Sequence, residues 1–292
     1  ENIEDIEIAR GLLRKAIDLD DDLIMAKGLI GWSYFLTGDI DKSLEIINNS
    51  LTQAEKLEDT LGIAGSLLVL GIIYSSKDDT EQAIEYFLGS LKLSEEINNK
   101  HNISQAFHNL GIVFSDIGDY DRALDYYNRS LELAIEIDRK KGMGLTYTSI
   151  GAIYKEMGDY NQALDYMTRS LKIAEEVGIK RNIGWSCYKI GGFYLDNSNY
   201  GKAILYLEKA LSIRKDLEME YLSHLIYLYL CHKNLSKEYD IDEIYKLLKK
   251  TENIDYDLNY HLYQLLEDTS YLETAYNQVQ EKADNLEPDV AA

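Results

Sequence analysis

The chain has 292 residues, 46% of them hydrophobic, and its 51 acidic against 30 basic side chains give a formal charge of −21. That charge repels phosphate backbones and anionic headgroups, which argues against nucleic acid and membrane as partners. The single proline and two cysteines argue against a turn-rich β protein and a disulfide framework, and no apolar run approaches the ~18 residues of a membrane span. Cys187 and Cys231 each lie in an apolar stretch where a small thiol packs well, which points to a reducing, cytoplasmic setting.

The opening ENIEDIEIAR has neither an initiator methionine nor a leader pattern and reads as an excised fragment. Residues 3 to 20 predict one amphipathic helix whose apolar face includes Ile6, Leu13 and Ile17 and is left half covered. From residue 24 a module recurs. Gly31, Gly71, Gly111, Gly151 and Gly191 stand 40 residues apart, each followed three positions later by Tyr34, Tyr74, Phe114, Tyr154 or Tyr194. Ile30, Leu70, Leu110, Ile150 and Ile190 precede them, and this spacing puts the apolar and aromatic residues on one helix face.

The second half of each module repeats a small, large, small pattern: Ser43, Ile47, Ser50; Ala83, Phe87, Ser90; Ala123, Tyr127, Ser130; Ala163, Met167, Ser170; Ala203, Leu207, Ala210. Offsets of four and three predict a second helix whose small residues admit a close neighbour. Between the halves stand Gly38-Asp39, Gly118-Asp119 and Gly158-Asp159, a helix stop followed by a cap. The second and fifth copies have Asp78-Asp79 and Ser198-Asn199 there, so those two turns are expected to be strained. Basic residues in the links, such as Lys100, Lys140 and Lys180, are expected near the carbonyl end of the preceding helix.

After residue 220 the register breaks, with Cys231 where glycine is due and Glu243 where alanine is due. Residues 221 to 250 read as a degenerate sixth hairpin. Leu262, Leu265, Leu266, Tyr271, Leu272, Ala275, Tyr276 and Val279 predict a last amphipathic pair before the polar tail EPDVAA.

This pattern resembles the tetratricopeptide repeat. Its large-x-x-Leu-Gly-x-x-Tyr first helix is matched by Phe107, Leu110, Gly111 and Phe114 and by Tyr147, Ile150, Gly151 and Tyr154, and its second helix by Ala83, Phe87 and Ser90. The family's proline at the end of the second helix is absent, which fits a 40-residue variant. Ala9 and Ala16 precede Ser43 and Ser50 by 34, as in the common form. The resemblance implies an all-α fold, an α-α superhelix or solenoid of antiparallel helical hairpins, read as one elongated body. Residues 1–23 are then the second helix of a truncated repeat, 24–220 five hairpins, and 221–292 the degenerate hairpin with capping helices.

Nothing in the sequence assembles a reactive centre: there is no HExxH, no CxxC and no glycine-rich phosphate loop, so catalysis, cofactor and metal are not expected. The resemblance places ligand contacts on the first helices, at offsets −6, −3, +1, +4 and +5 from the repeat glycine. On that stripe the candidates are Met25, Trp32, Phe35, Leu68, Ile72, His108, Ile112, Asp116, Lys155, Glu156, Trp185, Tyr188 and Asp196. It is apolar at its amino-terminal end, with Asp116, Glu156 and Asp196 expected to form an acidic line farther along. The implied function is a noncatalytic scaffold whose concave groove takes a protein or peptide, basic or amphipathic in character. Two alternatives stay open. One is the sensory segment of a larger signalling enzyme, since ARGLLRKAIDLDDDLIMA and YLETAYNQVQEKADNLEP resemble repeat tails of bacterial nucleotide cyclases. The other is a homo-dimer through residues 3–20 or the carboxy-terminal helices.

Overall fold

The computed structural model describes residues 3–251 and 254–284, and the tail EPDVAA lies outside them. Regular structure among the described residues is entirely helical, and none of the helices is long and apolar enough to cross a membrane. The single body expected from the sequence resolves into two compact units, one ending at Ile153 and the other beginning at Tyr154.

The first unit holds α1 (Ile3–Leu19), α2 (Ile24–Leu36), α3 (Ile40–Lys56), α4 (Thr60–Ser76), α5 (Thr80–Glu96), α6 (Lys100–Asp116) and α7 (Tyr120–Glu136), and most of α8 (Lys140–Glu156). Even-numbered helices carry the repeat glycine and odd-numbered helices the small-large-small pattern. Gly38 and Gly118 take φ of 82° and 79°, and the next aspartates, Asp39 and Asp119, accept the backbone N–H of Lys42 at 3.1 Å and of Arg122 at 3.0 Å. Asp78 holds the same left-handed conformation at φ 58° without being glycine, as does Ser198 in the second unit at 56°, so these two turns bear the expected strain. Left-handed residues also end the second helices, at Glu58, Asn98 and Asp138, positions that carry no glycine to announce them.

In α2, α4 and α6 the repeat glycine lies directly against the large residue of the second helix. A Cβ built on Gly71 would lie 2.5 Å from the Phe87 ring, and one on Gly111 would lie 2.6 Å from Tyr127. The large residue of the second helix therefore rests directly on the first helix backbone. Serines beside it satisfy their hydroxyls on that same backbone: Ser43 Oγ donates to Gly31 O at 2.8 Å and Ser90 Oγ to Ala64 O at 2.8 Å. Near the turn, the aromatic three after the glycine stacks on a tyrosine of the second helix, with ring centroids 5.3 Å apart in Tyr74–Tyr86 and 5.4 Å in Phe114–Tyr126.

Of the linking lysines, Lys100 is the first residue of α6, and its side chain pairs with Glu136, the last residue of α7. An antiparallel hairpin brings the start of one helix beside the end of the next, so this charge also meets the carbonyl end of the following helix.

Helix α1 is held to α2 by one buried cation. Arg10, 4% exposed, donates from Nε to Ser33 Oγ at 2.9 Å and from Nη2 to Ser33 O and Thr37 Oγ1, both at 3.1 Å, with its guanidinium 3.8 Å from the Tyr34 ring centre. Arg10→Ala is expected to cost about 2–3 kcal/mol locally, because the hydrogen bonds are charge-assisted and Ser33 Oγ, which itself donates to Ile30 O, loses its donor. Hydrogen exchange would show this as faster exchange confined to α1 and α2, with α4 to α7 unchanged.

The second unit repeats the construction in α9 (Tyr160–Val177), α10 (Lys180–Asp196) and α11 (Tyr200–Asp216), with stacked clips Tyr154–Tyr166 at 5.6 Å and Tyr194–Tyr206 at 5.9 Å. Then follow α12 (Leu222–Asn234), α13 (Ile241–Leu248), α14 (Tyr256–Leu266) and α15 (Thr269–Asp284). Leu222, Leu225, Ile226, Ile244, Leu262 and Leu265 are buried here. The last amphipathic pair departs from expectation on its second helix, where Leu272, Tyr276 and Val279 point outward, 37%, 62% and 44% exposed, and Ala275 alone is buried. Both thiols are buried, and that burial pushes the Cys231 pKa up to about 12 and the Cys187 pKa upward, as packing groups require.

Candidate functional site

In the first unit, α2, α4 and α6 bring part of the predicted stripe together. Trp32 stacks on Phe35, ring centroids 5.1 Å apart, and both are only partly buried. Beside them opens a hollow of about 290 Å³. Phe35, Ile72 and Ile112 wall it, Phe87 lies at its floor, and Ser75, Ser76, Asn109 and Asp116 line it with polar groups. Phe87 reaches this floor because Gly71 leaves it the space of a side chain. The arrangement offers an apolar socket with hydroxyl, amide and carboxylate groups around it, which suits an apolar side chain whose own backbone remains polar.

Other candidates sit elsewhere. Met25 is 68% exposed at the start of α2, outside the hollow. Leu68 is 7% exposed and is a packing residue, a correction to the stripe. His108 packs on the Tyr127 ring at 5.4 Å, and its Nδ1 meets Thr146 Oγ1 at 3.2 Å. Offset −3 from the glycine thus faces the neighbouring first helix, where bulk is covered.

In the second unit, the candidates come from α8, α10 and their neighbours. Lys155 pairs with Asp196 at 2.7 Å. Burial works against the lysine charge, but the Asp196 hydrogen bond and the nearby carboxylates of Asp196, Glu156 and Asp257 outweigh it and raise its pKa. Asp196 is therefore a neutralised partner, which corrects its expected place in an acidic line. Glu156 is exposed at the end of α8. Trp185, 44% exposed, lies 6.0 Å from Tyr188 and carries Lys189 Nζ 4.6 Å from its ring centre. Tyr188 continues into a stack on His224 at 4.3 Å and Tyr227 at 5.1 Å, and Tyr227 donates to Asp257 at 3.0 Å. Tyr227 is seated against Gly192, where a Cβ would stand 3.1 Å from its ring.

A second hollow of about 1040 Å³ opens in this unit near Asp196, Tyr200, Lys233, Tyr260 and His261, which the sequence reading did not anticipate. Its lysine is already taken: Lys233 Nζ donates to Glu267 at 2.7 Å and to Gln264 O at 2.8 Å, closing the carbonyl end of α14. Among the described residues no three His, Cys, Asp or Glu side chains converge as a metal would need.

Stacked hairpins built on a glycine and a small-large-small helix define a helical repeat protein, and the chain belongs to the tetratricopeptide repeat family, whose model matches residues 63–136 and 142–216. No curated protein matches the sequence. Solved structures share its fold. A Rap protein complexed with competence and sporulation factor aligns at a TM-score of 0.71 and 16% identity, over 97% of this chain and 88% of that one. A signal transduction ATPase with numerous domains and a tetratricopeptide repeat sensor, from Pyrococcus horikoshii, aligns at 0.68 and 18% identity over 98% of this chain, which spans 46% of its length. Aspartyl phosphate phosphatase F from Bacillus subtilis aligns at 0.67 and 13% identity, over 92% of this chain and 75% of that one.

Proposed function

We propose that the chain is a noncatalytic binding scaffold whose first unit seats an apolar side chain of a peptide or helix in the Phe35–Ile72–Ile112 hollow. One observation carries this reading: three first helices each contribute an apolar side chain to a single partly open socket floored by Phe87. The socket's charged group is Asp116, and the chain as a whole is strongly acidic, so the favoured ligand sets a lysine or arginine beside its apolar anchor. Because the hairpins are already stacked, the receptor loses little freedom on binding. That a Rap protein of the same fold is seen with a bound factor supports the reading.

The test is selection from a displayed peptide library on the intact chain. Enriched sequences should combine a bulky apolar residue with a basic neighbour, and Ile72→Asp should weaken their binding about tenfold to a hundredfold, since a buried aliphatic contact is worth about 1.5–3 kcal/mol. Helicity should not change, because Ile72 is only partly buried. Equal binding by wild type and variant would remove the socket from the mechanism.

The ATPase neighbour, which carries its repeats as a sensor, favours a second reading in which this chain is the sensory part of a cytoplasmic signalling protein. In that reading the peptide signal is the input, and the same socket receives it.

A further inference from the structure

The large hollow of the second unit holds hydrogen-bond acceptors with nothing to receive. It is lined from α10, α12 and α14, and α12 packs against both of the others. Asp196, the last residue of α10, and Glu267, just past the end of α14, are its two carboxylates. Each holds a lysine by one oxygen: Lys155 meets Asp196 Oδ2 and Lys233 meets Glu267 Oε1, both at 2.7 Å. Their other oxygens, Oδ1 and Oε2, accept no hydrogen bond among the described residues. A third acceptor comes from His261, which is 9% exposed and lines the same hollow. Its Nδ1 lies 2.7 Å from Asp257 O, and a carbonyl can only accept, so in the neutral ring Nδ1 carries the hydrogen and Nε2 the lone pair. The Tyr227 ring, 4.6 Å away, holds the imidazole in place. Donors are scarce by comparison. Lys233 is the only cation among the lining residues, and its three hydrogens go to Glu267, Gln264 O and Leu265 O at 2.7, 2.8 and 3.2 Å. An entering anion would meet two carboxylates and no free ammonium.

We infer that this hollow binds an aliphatic ligand carrying two cationic amines, one directed to Asp196 and the other to Glu267. Ammonium hydrogens bond the open carboxylate oxygens and His261 Nε2, each a charge-assisted contact. Between the two carboxylates the lining is aromatic, with Tyr200, Tyr260 and Tyr263. Tyr260 is 45% exposed, so its ring face is free to take a cation or the methylenes of the stem. A volume of about 1040 Å³ is at the upper end of small-molecule sites and admits a chain where a single ion would rattle. The formal charge of −21 draws such a ligand toward the protein from any side, and the hollow supplies the fixed geometry. A free linear polyamine and a peptide segment with two basic side chains present the same chemistry.

This site lies wholly in the second unit, and its test does not depend on the Phe35–Ile72–Ile112 socket. Spermidine, butylamine and the peptide acetyl-KAAK-amide are titrated calorimetrically into the intact chain in about 150 mM salt, where diffuse attraction is largely screened. Saturable binding with one site per chain is expected for spermidine or the peptide, the tighter of the two identifying the source of the amines. Butylamine, with a single cation, should bind at least about tenfold more weakly. Tyr260→Ala and His261→Phe leave the formal charge of the neutral chain unchanged, and each should weaken binding about threefold to tenfold. Tyr260 is exposed, so its variant tests the site even if His261→Phe disturbs the fold, which circular dichroism would reveal. Glu81→Gln, an exposed charge removed from the first unit, should change nothing, and neither should Ile72→Asp. Absence of saturable binding by both diamine probes overturns the assignment. So does binding that ignores Tyr260→Ala and His261→Phe yet falls with Glu81→Gln, since that pattern belongs to net charge.

Discussion

Gly111→Val is expected to destabilise the first unit by about 3 kcal/mol or more, a fall of roughly 5–10 °C in Tm. The added Cβ would stand 2.6 Å from Cδ1 and Cε1 of Tyr127, whose ring is 2% exposed and has nowhere to retreat. Gly65 makes the matched comparison. It also lies inside a first helix, α4, but a Cβ there meets nothing within 4 Å. Gly65→Ala should therefore stabilise the helix by up to about 1 kcal/mol, through propensity alone. Thermal unfolding of the two variants decides whether the repeat glycine exists for close approach. Equal effects of the same sign would mean that glycine at 111 reflects backbone freedom and not packing.

That contrast also shows what could be read from sequence. The glycines at 31, 71, 111 and 191 were legible because a single contact, a large side chain laid on a bare backbone, forces the same residue at the same spacing. The turn aspartates were legible for a similar reason, since each cap serves the N–H three residues on. Site residues are less constrained. Phe35, Ile72, Ile112 and Asp116 line one hollow as the stripe places them, but Leu68 and His108, on the same helical stripe, are taken up by packing. Helical periodicity reports which side a residue faces, and a first helix has neighbours on that side as well as solvent. In the second unit the register is lost after residue 220, so Tyr227, Tyr260 and His261 could not be placed on a face until α12 and α14 were seen. Leu272, Tyr276 and Val279 have apolar spacing yet are left exposed by the described residues, which periodicity alone does not distinguish from a core.

Acidification should weaken the fold through two histidines that are held neutral. His108 is partly buried by surface area yet closely surrounded by protein, and His224 is 1% exposed; burial first, then the charges of Arg139 and Arg214 respectively, lower each pKa from 6.5 to about 4. The sign follows from proton binding. Between pH 6.5 and 4 the unfolded chain protonates these imidazoles while the folded chain refuses the proton, so the equilibrium moves toward the unfolded state as pH falls. Above pH 6.5 the contribution is complete, and near pH 4 it is gone. Each histidine is expected to account for up to about 3 kcal/mol across that window. The chain's large negative charge works in the other direction, because it shrinks as pH approaches the sequence pI of 4.6 and self-repulsion relaxes. A paired measurement separates the two. Urea unfolding of the wild type and of His108→Asn with His224→Asn should diverge steadily from pH 7 to pH 4.5, the wild type losing more stability. Asparagine keeps a polar group facing Thr146 Oγ1 and Ser223 Oγ, the present partners of the two Nδ1 atoms at 3.2 and 3.1 Å. Parallel curves for the two proteins would show that neither ring is held neutral and that the acid response belongs to the carboxylates.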